Sequence, residues 1–321
     1  MINTYKVLDL FCGAGGFSLG FVMEGFRVLL GVDVDRTVSE TCRENLKVDV
    51  LCEDVRNLHA IDIKEIIGDD VDVVIASPPC EPFTGANPRR EVNAFDRLYS
   101  DEVGRLFLHA IRIIGDLRPK LFIIENVPSI LEGSLREAIE YELKVVGYDR
   151  VYFNVLYAEN YGTPSHRKRV FISNYRLRPR PIRKLVIVEE ALTGLPSPEY
   201  VNDVPNHVIK PLPLKKLKKI ARLKWGEGLV LYKGAGRKVL PNWVRLHPFK
   251  LAPTVLGGSR FIHPYENRLL TVREQARLMG FPDNFVFKGG FDMQYNVIGE
   301  AVPPPLSSAI AKEALKLLRR S

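Results

Sequence analysis

The chain has 321 residues, 46% of them hydrophobic and 26% charged, with a formal net charge of +8 and a mean hydropathy of −0.05. That is the composition of a globular protein with one large or two modest domains. It holds no apolar run near the roughly 18 residues a membrane span needs, which excludes an integral membrane protein built on helices. The segment Met1–Lys6 lacks the basic, apolar, small-residue layout of a signal peptide. Four cysteines, Cys12, Cys42, Cys52 and Cys80, form no Cys-x-x-Cys pair and no zinc-ligand spacing, so neither a disulfide scaffold nor a structural metal is expected. A reducing, cytoplasmic setting is the simplest expectation.

In chain order, Lys6–Phe11 is a short apolar run stopped by glycines at 13, 15 and 16. The pattern then predicts a helix over Phe17–Glu24, a strand over Arg27–Val32 closed by Asp33, a helix over Arg36–Asn45 and a strand over Val48–Cys52. Val71–Ser77 is a further strand, ended by Pro78-Pro79. Asp101–Leu117 has a helical apolar period, Leu121–Ile124 is a strand ending at Glu125-Asn126, and Leu131–Val146 is helical. Val151–Tyr157 and Val170–Ser173 complete the strands. Strands alternating with helices at this spacing imply a mostly parallel sheet covered on both faces. From Arg176 onward the texture changes to Pro- and Arg-rich sequence without sustained periodicity, predicting loops and short irregular strands. Order returns in a short helix at Val272–Met279 and in a Pro-started helix over Leu306–Leu318.

Charge is concentrated in that irregular part. Residues 176–250 hold 17 Lys+Arg against 5 Asp+Glu, whereas the remainder holds 29 against 33. A local excess of this kind suits a polyanionic partner, since each Lys or Arg set on a phosphate releases a counterion. A solvated basic face is the alternative.

Four places carry chemistry. In the glycine turn, Gly13, Gly15 and Gly16 allow close backbone approach to a ligand, and the helix start that follows offers free N–H groups. Asp33, twenty positions after Gly13, sits where nucleoside-binding α/β proteins place the carboxylate that bonds ribose hydroxyls. Ser18 occupies the third glycine's place of Gly-x-Gly-x-x-Gly, so no diphosphate loop is specified. A nucleoside ligand without a diphosphate fits better, S-adenosylmethionine being one, with Asp54 available to an adenine amino group. Cys80, in Pro78–Thr84 directly after a strand, projects from a rigid turn at the sheet's ligand-binding end, a nucleophile's position. Glu125 lies on the same rim. Arg167 and Arg169 share one face, with Lys168 on the other, and suit a carbonyl, carboxylate or phosphate.

Read together, these segments resemble the DNA (cytosine-5)-methyltransferase family. DLFCGAGGFSLGF stands at Asp9–Phe21, PPCEPFT at Pro78–Thr84, DEVGRLF at Asp101–Phe107 and ENV at Glu125–Val127. HRKRVFI follows at His166–Ile172, then APT and RLLTVREQARLMGFPD between Ala252 and Asp283, and GEAVPPPL at Gly299–Leu306. The order of so many blocks makes chance assembly negligible. Residues from about 175 to 250 carry no family pattern, as in the variable target-recognition region.

The resemblance implies an α/β, Rossmann-like S-adenosylmethionine methyltransferase sheet, residues 1–175 plus 292–321, with a smaller irregular target-recognition domain at 176–291. It implies Cys80 as nucleophile on C6 of cytosine, Glu125 on N3 and the exocyclic amine, Arg169 on O2, and Arg167 bracing the site. Phe11, Cys12, Gly13, Ala14, Gly16, Asp33, Val34, Asp54, Val55, Pro79, Leu106, Glu300 and Val302 would hold S-adenosylmethionine, which leaves as S-adenosylhomocysteine. No metal is implied. Residues 82–97 would form a loop closing over a flipped base, with Thr84, Arg89, Arg90 and Arg97 on DNA. The chain departs from the family pattern at Glu300 (usually Asn), Glu81 (usually Gln) and Thr84 (usually Ser). The implied partner is double-stranded DNA, met by a monomer that associates with the nucleoid when bound, with a cognate restriction endonuclease as functional rather than physical partner. The family's tRNA-methylating branch is the alternative. It carries a Cys-Phe-Thr signature in its variable region, and 176–250 contains no cysteine, which favours DNA.

Overall fold

Strands made almost wholly of Val, Ile and Leu cannot leave either face in water, and the chain covers both. The computed structural model describes residues 4–235 and 239–320. Its first part runs β1 (Lys6–Leu10), α1 (Gly16–Met23), β2 (Arg27–Asp33), α2 (Arg36–Leu46), β3 (Asp49–Cys52), α3 (Ala60–Ile67), β4 (Val73–Ala76), α4 (Asp96–Tyr99), α5 (Leu106–Leu117), β5 (Leu121–Asn126), α6 (Leu135–Val145), β6 (Tyr152–Tyr157) and β7 (Lys168–Ser173). The seven strands form one sheet in the order β3-β2-β1-β4-β5-β7-β6. All neighbours are parallel except β7, which runs antiparallel to both β5 and β6. This is a Rossmann-like mixed sheet.

Period-2 alternation sorts the core into two layers. Leu8, Leu10, Leu30, Val32, Val74, Phe122 and Ile124 face α3, α5 and α6. Val7, Val28, Val73, Ile75, Leu121, Ile123 and Phe171 face α1 and the C-terminal helix α11 (Pro304–Leu318). Gly20 of α1 lets α11 approach so closely that a Cβ there would lie 2.3 Å from Ser307 Cβ. Tyr5 Oη donates to the carbonyl of Leu318 at 3.0 Å, so the tail returns beside the first strand.

Between these parts lie α7 (Val188–Leu192), α8 (Leu214–Ile220), β8 (Gly228–Lys233), β9 (Val239–Arg245), β10 (Phe261–Ile262), α9 (Val272–Arg277) and α10 (Phe291–Glu300). The irregular reading of 176–250 is thus only partly met, because α8 and the β8–β9 hairpin are regular. Pro241 is tolerated inside β9 because β10 pairs only with Val244 and Arg245, leaving β9 an open edge at the proline. One apolar cluster joins Val244, Phe261, Val272, Met279, Phe281 and Phe287 to Tyr295 and Ile298 of α10, and reaches Ala14 and Val38 of the first part. Two helix boundaries also differ from the sequence reading. α5 begins at Leu106 rather than Asp101, since Asp101 Oδ1 accepts from Val103 and Gly104 N–H in a turn. The stretch 131–146 is divided by a turn at Glu132–Ser134 before α6. No described helix is long and apolar enough to cross a membrane.

Asp9, inside β1, is fully buried and accepts from Ser18 Oγ at 2.6 Å, pinning the strand to α1. Its other oxygen has no partner among the described residues. Burial pushes its carboxyl up to about 7, with Ser18 opposing. A carboxyl with a raised folded-state pKa stabilises below its unfolded value, and that contribution is lost as pH climbs to the folded value. Stability should therefore fall between about pH 4 and pH 7, by at most about 1.4 kcal/mol per pH unit from this one group. Denaturant titrations at pH 5 and pH 7 should show this loss, and Asp9→Asn should flatten it. An unchanged pH slope in Asp9→Asn would contradict the assignment.

Candidate active site

The strand order reverses direction between β1 and β4, and the carboxyl ends of the strands at such a switch point are where open α/β sheets bind ligands. The turn after β1 lines one side. Phe11 ends the strand with φ 58, and Gly13 and Gly15 follow at φ 54 and φ 88. Phe11 is a bulky residue in the left-handed region, strain that clusters at functional sites. The glycines have different duties. A Cβ on Gly13 would meet nothing within 4 Å, so this position faces open space, whereas one on Gly16 would lie 2.5 Å from the carbonyl of Val302. Gly16 thus admits the tail segment rather than only a ligand. Cys12 packs its side chain with Cys42 and Val50, and its carbonyl accepts from Gly15 N–H at 2.9 Å.

Asp33 accepts from Gly13 N–H at 2.9 Å and from Asp35 N–H at 3.0 Å. Burial raises its carboxyl despite these bonds. Asp54 is clamped by its own neighbour, Arg56 Nη2 donating at 2.6 Å, and that bond holds its carboxyl below the usual range. Phe11, Val55, Leu106 and Cys80 all border one apolar cluster, while Val34 is exposed. An open glycine, a carboxylate with spare lone pairs, apolar walls and a polar turn at Asp54 fit a nucleoside ligand such as S-adenosylmethionine.

The turn after β4 lines the other side. Asn126 Nδ2, fully buried at the end of β5, donates to the carbonyl of Pro78 at 3.1 Å. It ties the Pro-Pro-Cys turn to the rim strand. Backbone N–H groups of Phe83 and Thr84 donate to the carbonyl of Cys80 at 3.0 and 2.9 Å, and half-buried Pro79 precedes it. Phe83 is sealed against Phe107, while Ser129 Oγ and Arg90 Nη1 donate to its carbonyl at 2.6 and 2.9 Å.

β7 completes the site because it runs antiparallel. Its first residues reach the rim where β5 ends, and Arg169 Nε lies 2.9 Å from Glu125 Oε1 in an ion pair, both side chains under 10% exposed. Arg167 is buried, and its Nη1 donates to the carbonyls of Val255 at 2.8 Å and Gly299 at 2.9 Å. Arg167 is therefore a strut between the sheet and the second part of the chain. Burial pulls its guanidinium down to about 9.

Burial likewise pushes the Cys80 thiol up to about 11, Arg169 opposing and Glu125 and Glu81 reinforcing. The carboxyl of Glu300 lies over Gly257, where a Cβ would be 2.6 Å from Oε1. It is pushed up to about 7 by burial and then by Glu81 and Asp33, although the residue as a whole is exposed.

The loop after Cys80 is more tied down than the sequence implies. Arg89 is exposed, and Thr84 Oγ1 accepts from Ala86 N–H at 3.3 Å. Arg97 does not face outward: it is 4% exposed, donating to Glu91 and Val92 carbonyls and to Glu132 Oε2 at 2.9 Å. In this conformation it braces the loop, since a guanidinium taken out of water must fill its donors internally. In the sequence Asp9 and Asn126 carried no assigned role, and the strain at Phe11 was invisible. Asp9, Asn126 and the strained Phe11 backbone all lie within quoted blocks, but neither burial nor φ is visible in a string of letters.

A family model for C-5 cytosine-specific DNA methylase matches residues 5–199 and 224–316. M.MJ0563P of Methanocaldococcus jannaschii is 50% identical over 318 residues, covering 98% of this chain and 100% of that protein. The type II methyltransferase M.DdeI of Desulfomicrobium norvegicum is 31% identical over 374 residues, covering 96% of this chain and 88% of its own. A crystal structure described as a DNA modification methyltransferase encoded within an E. coli prophage superposes with a TM-score of 0.79 at 25% identity, covering 98% and 100%.

With its pKa raised to about 11, the resting Cys80 thiol should alkylate slowly at neutral pH, because the thiolate is the reactive form. Site-resolved mass spectrometry of iodoacetamide labelling should show a rate rising about tenfold per pH unit from pH 7 to pH 10, with exposed Cys52 as internal reference. A plateau below pH 8 would contradict the buried-thiol geometry.

Proposed function

Because the chain belongs to the C-5 cytosine-specific DNA methylase family, we propose that it methylates C5 of cytosine within a specific duplex DNA sequence. The enzyme is a DNA cytosine-5 methyltransferase, and it serves as the modifying half of a restriction–modification pair, a monomer whose endonuclease partner is functional only. The observation that carries the reading is the meeting of Cys80, Glu125 and Arg169 at one rim, drawn from β4, β5 and β7.

The chemistry follows from what these groups do. C5 of an aromatic pyrimidine is a poor nucleophile. The Cys80 thiolate adds to C6, forming an S–C6 bond and turning C5 into an enamine-like carbon. Glu125 holds N3 and the exocyclic amine. Arg169 is fixed by that carboxylate and bonds O2, so charge developing on the ring meets donors already in place. Arg167 positions the rim by fastening it to Val255 and Gly299. S-adenosylmethionine, held by Phe11, Gly13, Asp33, Asp54, Val55, Leu106 and Val302, supplies the methyl group that C5 accepts. Loss of the C5 proton then breaks the S–C6 bond and restores the aromatic ring. Binding of substrate must also lower the thiol's high resting pKa, and the nearby Arg169 charge favours the thiolate.

None of this can happen inside a stacked duplex, so the target base is flipped out. The loop at 82–97 closes over it, and residues 176–291 form the recognition lobe facing it across a cleft.

Cys80→Ser should abolish methyl transfer to duplex DNA while leaving cofactor and DNA affinity within a few-fold of wild type. Transfer of labelled methyl groups to unmethylated duplex DNA and to tRNA, each with wild type and variant, provides the measurement. Retained turnover in Cys80→Ser would exclude the covalent route, and label on tRNA but not DNA would overturn the substrate.

A further inference from the structure

The family match skips residues 200–223, and within that gap lies α8, whose sequence is LKKLKKI. Only one residue of the helix, Ile220, is buried. It packs with Ile262 and Leu269, beside Leu229 and Trp243, so the helix lies on the three-stranded sheet β10-β9-β8. Lys215, Lys216, Lys218 and Lys219 are all exposed. Among the described residues none of them is in an ion pair, whereas the nearby Lys210 and Arg260 both engage Asp292. Like charges three and four residues apart on one helix repel. The helix therefore presents concentrated, uncompensated charge that its own fold does not use.

Its seat is built at a cost. Trp243 adopts φ 53, a left-handed conformation that strains a non-glycine residue. Asn242 Oδ1 holds it there, accepting from the N–H of Trp243 at 2.8 Å and of Arg260 at 3.0 Å. The ring so placed lies 4.6 Å from Lys216 Nζ, a cation–π contact that fixes the helix's polar face. At the far end of the same hairpin, Ala235 N–H donates to the carbonyl of Gly85 at 2.9 Å, in the loop that follows Cys80. The sheet carrying α8 thus reaches from the lysines to the active-site loop.

We infer that the exposed lysines of α8, the helix whose Lys216 rests on Trp243, are a DNA-backbone clamp outside the segments that the family model matches, an inference that rests on the duplex-DNA reading above. Residues 215–219 span about 6 Å of helix axis, against which a duplex presents one phosphate charge per about 1.7 Å. Four ammonium groups on that length match about four phosphates. The clamp positions the duplex without reading sequence.

The test is equilibrium binding of a fluorescein-labelled mixed-sequence 40-base-pair duplex as a function of salt. The full-length wild type is compared with the quadruple variant K215Q/K216Q/K218Q/K219Q and with each single variant. Each lysine lost should lower the slope of log K against log salt by about 0.9, roughly 3–4 in all. The methyl-transfer KM for duplex DNA should rise at least tenfold with kcat unchanged, and K215Q, K218Q and K219Q should each unfold at the wild-type midpoint, since those three side chains are exposed, whereas K216Q also gives up the contact with the Trp243 ring. An unchanged salt slope in the quadruple variant would overturn the clamp. Failure of the parent reading is separate, because wild type itself would then transfer no methyl group to duplex DNA.

Discussion

The carboxylate of Glu125 and the guanidinium of Arg169 meet at 2.9 Å with both side chains nearly sealed from water, and the candidate active site is arranged around that contact. Neither charge is tolerable there alone: removing one partner of a buried pair typically costs about 3–5 kcal/mol. The pair exists because β7 runs against the direction of its neighbours. An all-parallel sheet would carry the start of that strand to the opposite rim, and Arg169 would never reach the end of β5. The one antiparallel strand thus delivers a cation to the edge where Cys80 and Glu125 already stand. The same reversal brings Arg167 to the junction, where its bonds to Val255 and Gly299 fasten the rim to the second part of the chain.

Much of this architecture is legible in the sequence, for identifiable reasons. β1, β2, β4 and β5 are near-continuous Val/Ile/Leu runs ended by Gly, Asp, Pro or Asn, and their placement follows from burial on both faces. Cys80, Glu125 and Arg169 could be placed on one rim because each adjoins a strand end. By contrast, α3 and α10 gave no clear period. In α3 only Ile63 is buried while Ile61 and Ile66 are exposed, so its apolar residues do not trace a single stripe.

Charge was legible as a total but not by role. Arg245 was part of the basic excess at 176–250, yet it is buried, donating to the carbonyls of His263 and Glu266 and of Ile220, and to Asn267 Oδ1. Arg97 in the active-site loop behaves alike. A long guanidinium can supply several donors to irregular backbone that lacks a sheet or helix to satisfy it, so a proline-rich chain recruits arginines for its own interior. The lysines of α8, with a compact and strongly hydrated charge, stay outside. Arg176, Arg178, Arg180, Arg183 and Arg222 of the same segment are exposed as well, so residue type alone does not separate scaffold from surface there.

The central claim is a transient bond between Cys80 sulfur and C6 of an extruded cytosine, and a substrate unable to release its C5 substituent tests it most directly. Duplex DNA carrying 5-fluorocytosine in place of cytosine would be incubated with the enzyme, with and without S-adenosylmethionine, then denatured, digested and mapped by tandem mass spectrometry. A denaturation-resistant, cofactor-dependent adduct on the peptide containing Cys80 is expected. No adduct, or one attached to Cys52 instead, would contradict it.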